Sequence, residues 1–288
     1  LAFVSSTTTT ATISWTPGGS ESSWQYTLDN GANWNNFANT PTGNTTKTGT
    51  ITGLRASSTY TVQVRAYCSN SDQSNASHTL QVDTECDVIT SFPWTQDFNS
   101  LTVANSIPNC WDNSDGTTTT ASYKWCYNTS TSGNGATNGT SHDGSKCVRF
   151  NSYMNSSGNT NMLKTPVMNF PAGSVMQLSF WYKNPTGDDF SVYISTDGGA
   201  TYTTSLATGL TGQSSWTQKV ITLNSYVGTQ NVVIVFKGTS NYGSNDAYIY
   251  LDDVSIVETP KTYIAEWVSV DVGSTSSWCI GETRTVTL

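Results

Sequence analysis

Charge is scarce in this chain. Asp, Glu, Lys and Arg make up only 11% of its 288 residues, with 12 basic against 20 acidic side chains and a net charge of −8. That balance speaks against nucleic acid and against an anionic membrane surface as partners. There is no run of about 18 apolar residues, so no membrane insertion is expected. Ala, Leu, Glu and Lys are sparse, which removes long helices. Histidine is limited to His78 and His142, and neither Gly-x-Ser-x-Gly nor His-Glu-x-x-His occurs. Most of the five Glu lie at segment junctions or in the tail, so paired carboxylates of the glycosidase kind have little to draw on. The chain is therefore read as not an enzyme. No Cys-x-x-Cys pair marks a zinc or redox site. No signal peptide is visible, and strand-like segments stand at both ends, so the chain is expected to be part of a longer one.

What is present is Thr, Val, Ile, Tyr and Trp, the residues of half-buried strands, with enough aromatic side chains to build cores. The fold class is all-β. Six cysteines, at 68, 86, 110, 126, 147 and 279, are scattered through a Ser/Thr/Asn-rich background. That usage points to disulfides, an oxidising compartment and a secreted or cell-surface location.

Residues 1–87 read as short strands between turns. Ala11–Trp15 alternates, Ser23–Leu28 runs into the tight-turn signal Asp29-Asn30-Gly31, and Thr50–Leu54 and Tyr60–Ala66 follow. Trp15, Leu54 with Tyr60 six residues on, and then Val62, Val64 and Ala66 form a pattern that resembles a fibronectin type III domain. The resemblance implies an immunoglobulin-like sandwich in which the Tyr60 hydroxyl caps a corner. It also implies a spacer or binding role; an Arg-Gly-Asp tripeptide is absent. Cys68 and Cys86 are expected to pair, closing a loop worth about 3 kcal/mol. Cys110 is expected to pair with Cys147 or Cys126, the remaining connectivity being open.

From Phe92 the vocabulary changes. Asp97-Phe98-Asn99, Ile107-Pro108-Asn109-Cys110-Trp111, a low-complexity run to Gly139, and Ser141-His142-Asp143-Gly144-Ser145-Lys146 come first. Strands are expected at 176–183, 190–195, 216–223, 232–237 and 248–257, the last carrying Tyr250-Leu251-Asp252-Asp253-Val254-Ser255-Ile256. Over residues 91–258 this order resembles a jelly-roll β-sandwich of the cleaved-adhesin or MAM type found in secreted Bacteroidetes proteins. It shares its opening and closing strands with carbohydrate-binding modules. Residues 259–288 read as a linker and the truncated start of a further immunoglobulin-like module, too short to fold alone, in which Cys279 is expected to lack a partner.

The closing strand carries an anomaly. Ile249, Leu251, Val254 and Ile256 are apolar with period two, except that Asp252 and Asp253 both sit between Leu251 and Val254. A β-bulge accounts for such a slip. Two adjacent carboxylates repel, and either a bound cation or exposure on an edge strand accounts for them. The jelly-roll resemblance implies a structural Ca²⁺ between first and last strands. Its ligands are then expected from Asp97, Asn99, Asp143, Asp252 and Asp253, with Asn99 standing where the family carries an acid. A second, weaker set is Asp112 with Asp115 in an Asp-Asn-Ser-Asp-Gly turn, which a plain Asx-turn explains equally. Ser195–Tyr202 resembles an Asp-box hairpin, with Thr27–Trp34 a looser copy, and both are read as structural turns.

Trp125, Tyr127 and Tyr242 lie among Gly, Asn and Ser, where an exposed ring stacks on a sugar and a buried one packs beneath its loop. The expected function is a non-catalytic adhesion or substrate-targeting module, monomeric as a fragment, with host or cell-surface proteins or glycans as partners. The alternatives are a carbohydrate-binding accessory module of a secreted hydrolase and a purely structural stalk.

Overall fold

The computed structural model describes residues 1–128, 141–144, 146–242 and 248–259. The end of the low-complexity run up to Gly139, and the further module and Cys279 expected after residue 259, lie outside the described residues.

Eight strands form first: β1 (Ala2–Ser6), β2 (Thr10–Trp15), β3 (Trp24–Thr27), β4 (Asn35–Asn36), β5 (Lys47–Thr52), β6 (Thr59–Ser69), β7 (Asp72–Gln73) and β8 (Leu80–Asp83). They make a sheet β1-β2-β5 and a sheet β4-β3-β6-β7 in which β8 also pairs with β6, all antiparallel. Alternation decides which side chains meet: Ala11, Ile13 and Trp15 of β2 face Ile51, Val62, Val64 and Val82. The Arg55 backbone N–H donates to the Tyr60 hydroxyl at 2.8 Å, the corner cap that the sequence implied.

Nine more strands follow: β9 (Trp94–Gln96), β10 (Val148–Phe150), β11 (Thr160–Lys164), β12 (Val175–Asn184), β13 (Asp189–Ser195), β14 (Thr204–Ala207), β15 (Gln213–Thr222), β16 (Val233–Thr239) and β17 (Ile249–Thr259). One sheet has the order β10-β17-β12-β15 with β9 on β17; the other has the order β11-β16-β13-β14. The second core lies between them, built on Phe150, Phe180, Phe190, Phe236, Trp111 and Trp125. Gly238 shows how closely the two sheets approach: a Cβ there would stand 2.7 Å from the Phe150 ring.

Both Asp boxes form, and they are near copies. Thr27 and Ser195 hydroxyls donate to Asp29 and Asp197 at 2.7 and 2.6 Å, and the amides of Asn33 and Thr201 donate to the same carboxylates at 2.8 and 2.9 Å. These bonds hold the Asp29 carboxyl down at about 2 and that of Asp197 lower still. A depressed carboxyl pKa gives stability that is present above the unfolded value near 4 and is lost as pH falls through the folded value. Replacing both Asp29 and Asp197 by Ala should therefore lower Tm at pH 6 and flatten its decline between about pH 4 and 2. Melting curves across that range check this; an unchanged acid slope contradicts it.

Candidate functional site

The closing strand β17 changes partner halfway along one edge. Its residues Ile249–Leu251 pair with β10, and Val254–Ile256 pair with β9. Asp252 and Asp253 fall in the gap between. On the other edge Ser255 faces Ser179 and Asp252 faces Trp181, so Asp253 and Val254 together oppose Phe180. This is the bulge expected from the sequence, and it returns both Leu251 and Val254 to the core. Asp253 takes the left-handed backbone conformation, with φ 46°, which Asp tolerates better than most residues.

Asp252 points away from the core and is nevertheless fully buried. The segment around His142 covers it. The His142 backbone N–H donates to Asp252 Oδ2 at 2.8 Å, its Nδ1 lies 2.7 Å from Asp253 Oδ2, and its ring stacks on Trp181 at 3.6 Å. Burial above all, with the carboxylates of Asp253 and Asp143 adding to it, pushes the Asp252 carboxyl up to about 7. The edge-strand reading of two solvated charges does not hold for Asp252, because its side chain has no exposed surface and β17 lies inside its sheet.

The other members of the expected cation set are used differently. Asp97 is exposed and accepts the Asn99 backbone N–H at 3.1 Å. Asn99 donates its side-chain N–H to Asp143 Oδ2 at 2.7 Å and accepts the Lys146 N–H at 3.0 Å. It ties Asp143 and Lys146 to the chain following β9, its side-chain carbonyl oxygen already engaged. Among the described residues, no three His, Cys, Asp or Glu side chains converge as a ready metal cage. The Asp252 oxygens accept the backbone N–H groups of His142 and Asp253 at 2.8 and 2.9 Å, and the carboxylates of Asp253 and Asp143 stand near it, a concentration of negative charge that suits a hard cation.

At the second expected set a cation of the chain itself is in place. Lys164 Nζ lies 2.5 Å from Asp115 and 3.5 Å from Asp112, and Tyr202 donates to Asp115 at 3.4 Å. Asp112 also accepts the Ser114 N–H at 2.8 Å, the plain Asx-turn.

The aromatic trio separates. Trp125 is fully buried, donating its indole N–H to the Asn161 carbonyl at 3.1 Å and packing on Phe150 and Phe190. It is core, not a sugar platform, and its polar surroundings are its own hydrogen-bond partners. Tyr127 is half-buried beneath Lys146. Tyr242 alone is open, 58% exposed. Beside it the structure places Tyr153, absent from the sequence reading, in a shared cleft.

The disulfide pairing is corrected too. Cys86 bonds Cys110, and Cys68 is an exposed thiol. Register explains it: Asp83, at the end of β8, faces Thr59 at the start of β6, while Cys68 is near the far end of that strand, nine residues or about 30 Å away. Cys126 and Cys147 are buried, and burial pushes their thiols up to about 11 and about 12. Cys147 packs against Tyr248 and Tyr250 instead of meeting Cys110.

These features define an all-β chain of two sandwiches. Its polar clusters hold turns and loops in place. A family model for the MAM domain (meprin/A5/mu) matches residues 111–260, and one for the fibronectin type III domain matches residues 1–83. The chain belongs to the MAM domain family, with a fibronectin type III domain ahead of the MAM domain, in line with the resemblance read from the sequence. Among solved structures, the K1 cleaved adhesin domain of Lys-gingipain from Porphyromonas gingivalis W83 is similar at 21% identity, covering 58% of this chain and 98% of its own, with a TM-score of 0.42. The K3 domain of the same protein is similar at 25% identity, covering 57% and 97%, with a TM-score of 0.40. The CBM22-1 xylan-binding domain from Paenibacillus barcinonensis is similar at 12% identity, covering 62% and 100%, with a TM-score of 0.36. No curated protein matches.

Proposed function

We propose that this chain is a non-catalytic adhesion or substrate-targeting segment of a secreted or surface-anchored bacterial protein, its MAM domain closed by a structural Ca²⁺. The observation that carries the reading is the joint between the two domains. On one side Ser57 N–H donates to the Glu85 carbonyl at 3.0 Å, and Glu85 N–H donates to Thr7 at 3.1 Å. On the other, Ile89 N–H donates to Val167 at 2.9 Å and Asn169 N–H to Ile89 at 2.8 Å. Between these anchors the Cys86–Cys110 bridge and an Asn109 side-chain bond to the Ser57 carbonyl, 2.5 Å, cross the junction.

Only Cys86, Asp87 and Val88 separate the two anchors. Most linkers leave domains free to move, whereas this one is held on both sides and cross-linked. Such a joint serves a molecule that presents a face at a fixed distance, and its disulfide belongs to an oxidising compartment. Among the described residues no helix is long and apolar enough to cross a membrane.

For the cation, Asp252, Asp253 and Asp143 are the residues that would hold it, with carbonyl oxygens and water completing six to eight donors. When bound, Ca²⁺ neutralises the buried charge and fixes β17 to the loop bearing His142.

The immobilised chain should bind glycans or extracellular proteins saturably and release no product from glycoside and peptide substrates. Turnover of either substrate contradicts the reading. A chain that binds nothing in either panel is the structural stalk.

A further inference from the structure

The β11–β16 ladder ends where Thr160 faces Thr239, but the chains do not part there. Ser240 N–H donates to the Asn159 carbonyl at 2.9 Å, and Gly158 N–H donates to Ser240 at 2.7 Å. Beyond them, Tyr153 and Tyr242 line one cleft of about 470 Å³ together with Met154, Asn155, Ser156 and Ser157. Tyr242 is among the few large hydrophobic side chains that stand open to water.

The cleft is built, not incidental. Its two walls are tied together from below by buried polar groups. The Ser240 hydroxyl reaches the carbonyls of Ser152 and Asn155, both at 3.1 Å, and accepts the Tyr242 N–H at 3.3 Å. Asp188, fully buried, accepts the Ser152 hydroxyl and, at 3.0 Å, the Asn241 N–H. One carboxylate and one serine thus fix the backbone of both tyrosine-bearing segments. Asn155, in the floor, is held by Tyr123, Asn151 and Thr118. A cleft held this way loses little freedom on binding, which favours even a small ligand.

The lining states what the ligand is. Among the described residues it holds two phenol rings and exposed serine hydroxyls, and no charged side chain. An anionic or cationic ligand would meet no counter-charge there. A pyranose meets both requirements, with a C–H face for an aromatic ring and an edge of hydroxyls for Ser156 and Ser157. We propose that the Tyr153–Tyr242 cleft binds an uncharged hexopyranose unit of a glycan, stacked on Tyr242. This deepens the binding role proposed above and rests on it.

The test is a glycan array probed with the full chain, followed by calorimetric titration of a neutral hit into wild type and variants. Neutral glycans are expected to bind, and Tyr242→Ala to weaken the association roughly tenfold, the loss of one aromatic stacking contact. Tyr242→Phe, which keeps the ring, should stay within about twofold. Ser156→Ala combined with Ser157→Ala should weaken binding several-fold. Tyr242 is exposed, so an unchanged melting curve separates lost contact from lost fold. Unaltered affinity in Tyr242→Ala overturns the cleft while leaving glycan binding in place. Binding only to charged glycans, or only to proteins, overturns the proposal and leaves the binding role standing. Binding to neither glycan nor protein removes both.

Discussion

Replacing Trp125 with Ala is expected to destabilise the MAM domain by about 3–5 kcal/mol, as for other buried large-to-small changes. The indole is fully excluded from water and touches Phe150 at 5.9 Å and Phe190 at 5.5 Å between ring centres. Those two rings come from opposite sheets, so the cavity would open between the layers. A second cost adds to the first. Asn161 is itself buried, and it holds the Trp125 backbone N–H at 2.8 Å while donating to the carbonyls of Asn113 and Asp115 at 2.9 and 2.7 Å. Removing the indole leaves the Asn161 carbonyl without the donor it now has. Urea unfolding should show the MAM transition moving to lower denaturant with its slope unchanged, and the fibronectin type III transition staying in place. A shift under about 1 kcal/mol, the ordinary cost of a single substitution, would mean the ring is not the keystone described.

Trp125 also shows why one part of the site was legible in the sequence and another was not. Strand positions, the bulge at Asp252–Asp253 and the two Asp boxes depend on residues close together in sequence, and alternation or turn chemistry exposes them, while the Tyr60 cap came from the resemblance to a fibronectin type III domain. The partners of Trp125 are not close. Asn113 and Asn161 look like surface residues in a Ser/Asn-rich stretch, yet Asn161 is buried and accepts the indole N–H, while Asn113, half-buried, donates to the Trp125 carbonyl. Lys164 reaches Asp112 and Asp115 from about fifty residues along the chain, and no local pattern announces it. Cys86 could be matched with Cys110 only once the register of β8 on β6 was known. Tyr153 and Tyr242 become neighbours through the β11–β16 pairing. What was hidden was set by long-range register, which a one-residue slip would invert.

Chelating calcium is expected to lower the melting temperature of the MAM domain while leaving the fibronectin type III transition nearly unmoved. Asp252 explains why. Its carboxyl is raised to about 7 by burial and by its acidic neighbours, against about 4 in an unfolded chain. Without a cation the folded state therefore holds a proton that the unfolded state has released. Stability then falls as pH rises from about 4 to about 7, by up to about 1.4 kcal/mol per pH unit. A bound Ca²⁺ replaces that proton, so the decline should vanish in calcium. At free calcium about a hundred times Kd the domain gains roughly 2.7 kcal/mol. The gain is global because β17 is held to β9 by pairs as distant in sequence as Gln96 and Val254, and the site sits where those pairs begin. Asp252→Asn keeps the shape and an acceptor for the His142 N–H, so it should fold, lose the calcium response and lose the pH slope together. Calorimetric scans at pH 5 and pH 8, each with calcium and with chelator, separate the cases. A MAM transition that ignores calcium at both pH values removes the metal; one that also ignores pH removes the raised Asp252 carboxyl as well.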